Sequence, residues 1–542
     1  MLKRLSLLFA GLLLHADITP AYLHRQPRSL AKDFYISRML DRNISAAEAR
    51  AFIGEVKNMN WRLFDKFAKR VDDFSFARIS YCRHLSPLAY IGKDDDCIKV
   101  GLTPYKATKL PPEKLRAIAD RIAPKYPEDA QRYRLIAARD FNTTCRSGAD
   151  RFLALFNTVG SRYRETVLNH PLPPALLEAL SHRSAFNTAI EKIVRNPKLT
   201  RLQQSILKFD SSALSDQSNF LLGLNALRLG RKEIAIWYFR LSEKKAYFDF
   251  QKDKARFWQY LTLRDKKILA DMLQKSSALN FYTLYAHEKL GIAPENIVTE
   301  LKPTAAKAPF DITDPFAWIK IKQQFQKRHF ADYAEKKAAA LRLSSRDTQP
   351  HVVRLLYRHK SHRHYYLFPY TEHIASLPPK RQALLLALAR QESRFIPTEV
   401  SYSYALGMMQ FMPFLAKAIA KQEGMEDFRL EQMFDPAIAY RFADLHLDFL
   451  QKHLFHPLLI AYAYNGGVGY TRRRIAQKPD CFTDGPYEPF MTIEMLPNAQ
   501  ARRYGKRVLT NYVIYAKLLG IRDVTLLSQL EMLRHKRRIC DF

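Results

Sequence analysis

Residues 220–246 read FLLGLNALRLGRKEIAIWYFRLSEKKA. Apolar residues recur at intervals of three and four on both sides of Gly230, which predicts two amphipathic helices joined at that glycine. The small residue Ala235 and the aromatic Phe239 follow the turn at helix-repeat spacing, so both face the same way.

The same texture extends outward. From about residue 30 to 290 the chain reads as one helix after another with short polar breaks. Pro111-Pro112-Glu113 opens one of them, with proline and an acid in its first turn. The 220–246 hairpin is similar to a tetratricopeptide unit, but no period of roughly 34 residues runs through the region. The expectation is a long irregular α-superhelix, a solenoid.

Composition agrees. The chain has 542 residues, 47% hydrophobic and 26% charged, which suits several domains and excludes a disordered chain or a polytopic membrane protein. It holds 17 glycines, nine of them before residue 401. Sandwiches, barrels and doubly wound sheets need many glycine turns, so a predominantly all-α fold is expected. Lys and Arg exceed Asp and Glu by 87 − 53 = 34. That excess favours a polyanionic partner: nucleic acid, membrane headgroups or a carboxylate-bearing polymer.

Met1-Leu2-Lys3-Arg4 followed by the apolar run LSLLFAGLLL at 5–14 and then Ala16 reads as a signal peptide, 1–16. The run is too short to span a bilayer, which needs about 20 residues. The five cysteines, Cys82, Cys97, Cys145, Cys481 and Cys540, contain no CxxC pair, which disfavours a zinc ribbon or a redox motif. A bridge among the first three and a Cys481–Cys540 clip are both open. Proline clusters at Pro294, Pro303, Pro309 and Pro315, and again at Pro369, Pro378 and Pro379, mark boundaries. They divide the chain into a superhelical domain at 17–305, a small helical linker domain at 306–375 and a C-terminal domain at 376–542. His359, His362 and His364 fall in the linker without the Cys or acid that a zinc site needs, and read as a solvated basic loop.

Pro378-Pro379 opens a helix through KRQALLLALARQESRF, which Pro397 is expected to end. Leu384, Leu388 and Glu392 are spaced i, i+4, i+8, so the glutamate continues an apolar stripe that Leu385 and Ala389 widen. Burial and the negative end of the helix dipole both disfavour its charged form. They predict a carboxyl group still protonated near neutrality, as a general acid must be. Pairing with Arg390 or Arg394 is the ordinary alternative. Beyond it, residues 401–405 should form a turn and Gly407 should begin a segment carrying Met408, Met409, Gln410 and Met412. Asp435 reads as the N-cap and Pro436 as the first residue of a long helix. In AYAYNGGVG, 461–469, the glycines follow a helix and read as a turn displaying Tyr464 and Asn465.

In this order, ALARQESRF, Ser401 with ALGMMQFMP, FDP, AYAYNGGVG and IEMLPNAQARRYGKRVL resemble the soluble lytic murein transglycosylases, whose catalytic domain is goose-lysozyme-like. FYTLYA at 281–286 followed by Leu290-Gly291 is similar to a signature in the doughnut-shaped superhelix of the large periplasmic members. The resemblance implies Glu392 as the catalytic acid/base. It implies that Ser401, Gln410, Met412 and Tyr464 line a sugar groove with Asn465 beside them, and that Glu494 contacts the glycan. Met408, the second glycine of AYNGG and Gln500 depart from the family pattern, and Gln500 removes an acid.

The implied reaction cleaves the β-1,4 bond between N-acetylmuramic acid and N-acetylglucosamine without water. A single carboxyl suffices if the N-acetyl oxygen traps the oxocarbenium-like centre and the muramyl 6-hydroxyl then closes onto C1. The implied product is a 1,6-anhydromuramyl end, with no metal or cofactor. The implied partners are peptidoglycan glycan strands rather than nucleic acid, with wall-synthesis proteins as further candidates, in the periplasm and without a membrane span. All four tryptophans precede residue 376, so stacking on sugar falls to Tyr402, Tyr404, Tyr462, Tyr464, Tyr470 or Phe411, with Tyr464 preferred. Two rivals stand: a muramidase of the same fold using Glu494 or Asp435 as second carboxylate, and a basic helical scaffold without catalysis.

Overall fold

The computed structural model describes residues 18–42, 44–356, 362–476, 481–482 and 485–534. The expected signal peptide, His359 and Cys540 lie outside them. Among the described residues the fold is predominantly all-α, and its one named sheet is a two-residue parallel pair, Ile297–Val298 beside His364–Tyr365.

Helices Asp216–Arg228 and Lys232–Lys245 form the hairpin expected at 220–246, and Gly230 sits between them at φ +74°. A Cβ on Gly223 would lie 2.4 Å from the Phe239 ring, so the bare glycine is what lets the two helices approach. Ala235 and Phe239 are fully buried. Burial of a ring of that size contributes about 1.5–3 kcal/mol. The helix Pro112–Ile122 starts at its proline as expected.

By its internal contacts the chain divides into two units. The first takes its described residues from 1–81, 301–357 and 392–442. One core there joins Trp318, Ala340, Val352, Leu355 and Leu356 to Ile396. Helices Pro315–Lys327 and Gln349–Leu356 therefore pack around a residue four positions beyond Glu392.

The second unit comprises 82–300, 358–391 and 443–542. It holds the helices of the long N-terminal array from Asp95–Gly101 to Phe281–Leu290, together with Pro457–Gly466 and Ala499–Leu518. Those last two cross at Gly505, where a Cβ would stand 2.2 Å from the Tyr462 ring. A disulfide links Cys82 to Cys97, and Cys145 remains a thiol whose pKa burial pushes up to about 11. His364 is half-buried, its Nε2 2.9 Å from the Ser277 carbonyl oxygen. Among the described residues no helix is long and apolar enough to cross a membrane.

Candidate active site

The helix Pro379–Glu392 buries every side chain from 383 to 389. Glu392 is its last residue and is half-buried. The helix thus stops four residues before the end expected from Pro397. Ile396, preceding the proline, is disfavoured in the α conformation, and the chain leaves the helix earlier through two left-handed residues, Arg394 at φ +58° and Phe395 at φ +65°. Each such non-glycine residue costs of order 1–3 kcal/mol, a strain that clusters at functional sites. Next to the glutamate, Ser393 Oγ donates to the Met408 carbonyl at 2.8 Å in a buried position. That bond ties the helix end to the segment that follows.

The following segment is a tight hairpin. Leu406 bridges Val400 on one side and Phe411 on the other. Ser401 Oγ accepts the N–H of Ala405 at 2.9 Å and of Ser403 at 3.3 Å. The Gln410 amide donates to the carbonyls of Gly407 at 2.8 Å and Glu399 at 3.0 Å. Two expected groove residues therefore also build the turn. With its N–H groups so used, Gln410 offers a ligand its amide oxygen. Gly407, at φ +78°, has no room for a side chain, because a Cβ would meet the Met433 carbonyl oxygen at 2.0 Å. Met408 and Met409 are core residues, while Met412 is half-buried at the N-cap of Pro413–Gln422. Tyr404 and Phe411 are buried. Tyr402 is 66% exposed, and so, at 71%, is Phe414, which the motif reading passed over. Asp435 caps the helix Pro436–Gln451, its Oδ1 accepting the Ala437 N–H at 2.8 Å.

In the second unit, Tyr464 and Asn465 occupy the last turn of Pro457–Gly466, both half-buried, and Gly467 leaves the helix at φ +88°. The Tyr464 ring lies against His446 at 5.6 Å between centroids. Tyr462, two residues earlier, is buried.

Glu494 is 3% exposed and engaged inside the protein. Its Oε1 accepts the Tyr282 hydroxyl at 2.5 Å and the Lys506 ammonium at 2.5 Å, and Lys506 also reaches the Tyr282 oxygen at 2.8 Å. Burial alone would raise the carboxyl pKa, but Lys506 and Lys254 outweigh it and hold it at about 2. Lys254 is itself pushed down to about 7 by burial; its Nζ donates to Gln217 at 2.7 Å and stands 3.9 Å above the Phe220 ring. Arg195 donates to the Glu494 carbonyl, and Arg502 to that of Leu496. Two motifs more than two hundred residues apart thus meet through the Tyr282 hydroxyl, which bonds both Glu494 and Lys506. Sequence reasoning missed Lys506, Lys254 and Arg195, since only the helix packing brings them to Glu494. Gln500, where the family pattern has an acid, is exposed in the first turn of Ala499–Leu518.

Residues 373–481 match the family model described as Transglycosylase SLT domain. They resemble an SLT domain. The matched stretch includes Glu392, Ser401, Gln410, Met412, Tyr464 and Asn465, and ends before Glu494. The chain is 25% identical over 351 residues to the soluble lytic murein transglycosylase of Salmonella typhimurium, covering 58% of this chain and 51% of that protein. It is 27% identical over 208 residues to a membrane-bound lytic murein transglycosylase C of Yersinia pestis, covering 35% and 57%. The chain thus spans about half the length of the soluble relative. Around the SLT-like stretch the fold is similar to the crystal structure of the 70-kDa soluble lytic transglycosylase of Escherichia coli. The TM-score is 0.50 at 16% identity, covering 95% of this chain and 90% of that one.

Proposed function

We propose that the protein is a peptidoglycan lytic transglycosylase. Glu392 protonates the oxygen of the β-1,4 bond leaving N-acetylmuramic acid, then takes the proton of the muramyl 6-hydroxyl as that oxygen closes onto C1. The product keeps the atoms of the substrate and ends in 1,6-anhydro-N-acetylmuramic acid. Ser401, Gln410, Met412, Tyr464 and Asn465 hold the sugars; Glu494, expected from the resemblance at the glycan, is 3% exposed and bonded to Tyr282 and Lys506, and in this proposal it orders the protein behind them. The three-part division at 17–305, 306–375 and 376–542, export by residues 1–16 and action in the periplasm belong to the same proposal.

One observation carries it. Glu392 ends a buried helix, half-sheltered from water, with the adjacent Ser393 fastened to the Met408 carbonyl at 2.8 Å within the SLT-like stretch. The muramidase alternative needs a second carboxylate to activate water. Asp435 is engaged as a helix cap and Glu494 is held in a buried ion pair with Lys506, which favours the single-carboxyl route. The test is a digest of purified peptidoglycan read by mass spectrometry, with Glu392→Gln run in parallel. Products one water lighter than hydrolytic fragments are expected, reduced about 10²–10⁴-fold in the variant. Reducing-end products would establish a hydrolase, and no products from the unaltered protein would overturn the enzyme reading.

A further inference from the structure

A cavity of about 650 Å³ opens within the second unit, beside the Glu494 cluster with which it shares Arg195 and Leu496. Its wall comes from Arg164–Leu168, Phe186–Arg195, Arg472–Ala476 and Phe490–Met495. The first and third of these are single π-helical turns, a backbone form concentrated at functional sites. The volume suits an organic molecule rather than a lone ion.

Its charges are mixed, with cations in excess. Arg164, Lys192, Arg195, Arg228 and Arg474 line it against Glu165, Glu191 and Glu488. Arg195 pairs with Glu191 at 3.1 Å. Arg164, 9% exposed, spends its guanidinium on the Phe156 and Val159 carbonyls, and its Nε finds no acceptor among the described residues. The second terminal nitrogen of Arg195, Nη2, is likewise without one. Lys192 has no ion pair among the described residues, and burial with Arg164 beside it lowers its pKa. Glu191 and Glu165 compensate these cations only in part, and positive charge at a half-dry wall is expensive unless a further anion completes it. The lining also has apolar side chains, Met491, Met495 and Leu496 among them.

We propose that this cavity binds a short acidic peptide, its carboxylates facing Arg164 and Lys192 and its aliphatic side chains lying on Met491 and Met495. A peptide fits better than a phosphate because the lining offers acids for an ammonium and apolar side chains, besides cations. The peptide is either free in solution or attached to a glycan. Identifying the second source with the peptide stems of the wall rests on the function proposed above, whereas the chemistry of the cavity does not.

The test is titration calorimetry on the full chain with Ala-Glu-Ala, its Gln-containing C-terminal amide, inorganic phosphate and a peptide-bearing muropeptide. Lys192→Glu and the cavity-filling Met491→Trp serve as variants, each checked by thermal melting. Saturable binding of Ala-Glu-Ala or of the muropeptide, weakened about ten-fold or more by Lys192→Glu and blocked by Met491→Trp, is expected. Preference for the free peptide or for the muropeptide identifies the source. No saturable binding of either, equal binding of the neutral amide, or phosphate binding with the same sensitivity to Lys192→Glu would overturn the proposal. Glu392→Gln should leave peptide binding unchanged. Failure of the digest with binding intact would remove the proposed activity alone.

Discussion

Glu392 and Glu494 carry the same functional group in opposite settings. The first ends a helix and stays half-open to solvent, while the second is walled in by Lys506, Tyr282 and Lys254. The carboxyl of Glu494 is depressed to about 2, so its contribution to stability is present above the ordinary carboxylate pKa and lost as pH falls towards 2. Asp253 runs the other way. Its Oδ2 accepts from Ser276 and from Asn280, both at 2.8 Å, yet burial dominates and pushes its pKa up to about 7. The folded state therefore holds a proton that the unfolded state has released, and Asp253 contributes stability below about pH 4 that disappears as pH rises through 7. Asp253→Asn keeps the accepting oxygen without the titration. Its melting temperature relative to the unaltered protein should climb between pH 4 and 8, and parallel melting curves would refute this. Gly407→Ala combines a left-handed backbone with an oxygen 2.0 Å from the new methyl group. It should lower stability by about 1–3 kcal/mol or more in urea unfolding, with activity falling in step as the Ser401 hairpin shifts.

At the scale of elements, Pro457–Gly466 and Ala499–Leu518 touch through the missing side chain of Gly505. Gly505→Ala should force Tyr462 aside, cost about 1–3 kcal/mol and reduce activity through Tyr464 and Asn465 on the same helix. Near-normal melting and turnover would show that the crossing tolerates a methyl group. Much of this architecture was legible from local signals: Gly230 between amphipathic runs, Pro112 at a helix start and Asp435 before Pro436. Each acts within a few residues of where it is written. The early stop after Glu392 was not legible, because the Ser393 bond to Met408 and the two left-handed residues depend on a hairpin that forms later in the chain. The Glu494 cluster was hidden for the same reason, its partners lying on Asp249–Leu263, Phe281–Leu290 and Ala499–Leu518. Tyr404 and Phe411 could have served as sugar platforms on sequence alone; burial assigns them to packing instead.

Over the whole molecule the net charge of +34 is a long-range property, screened beyond about 10 Å at 0.1 M salt. Retention on acidic peptidoglycan sacculi should fall steadily with ionic strength, while binding of neutral chitin oligosaccharides should change little. Equal salt dependence for both would mean that the charge does not guide this protein to an acidic polymer. The Cys82–Cys97 link closes a loop of 15 residues, worth about 3 kcal/mol by chain-entropy reckoning. Such bonds persist in oxidising compartments and are scarce in a reducing cytosol. Recombinant batches produced in the two settings are therefore different chemical species, and a laboratory comparing their heat resistance or shelf life would be comparing manufacturing histories as much as sequences.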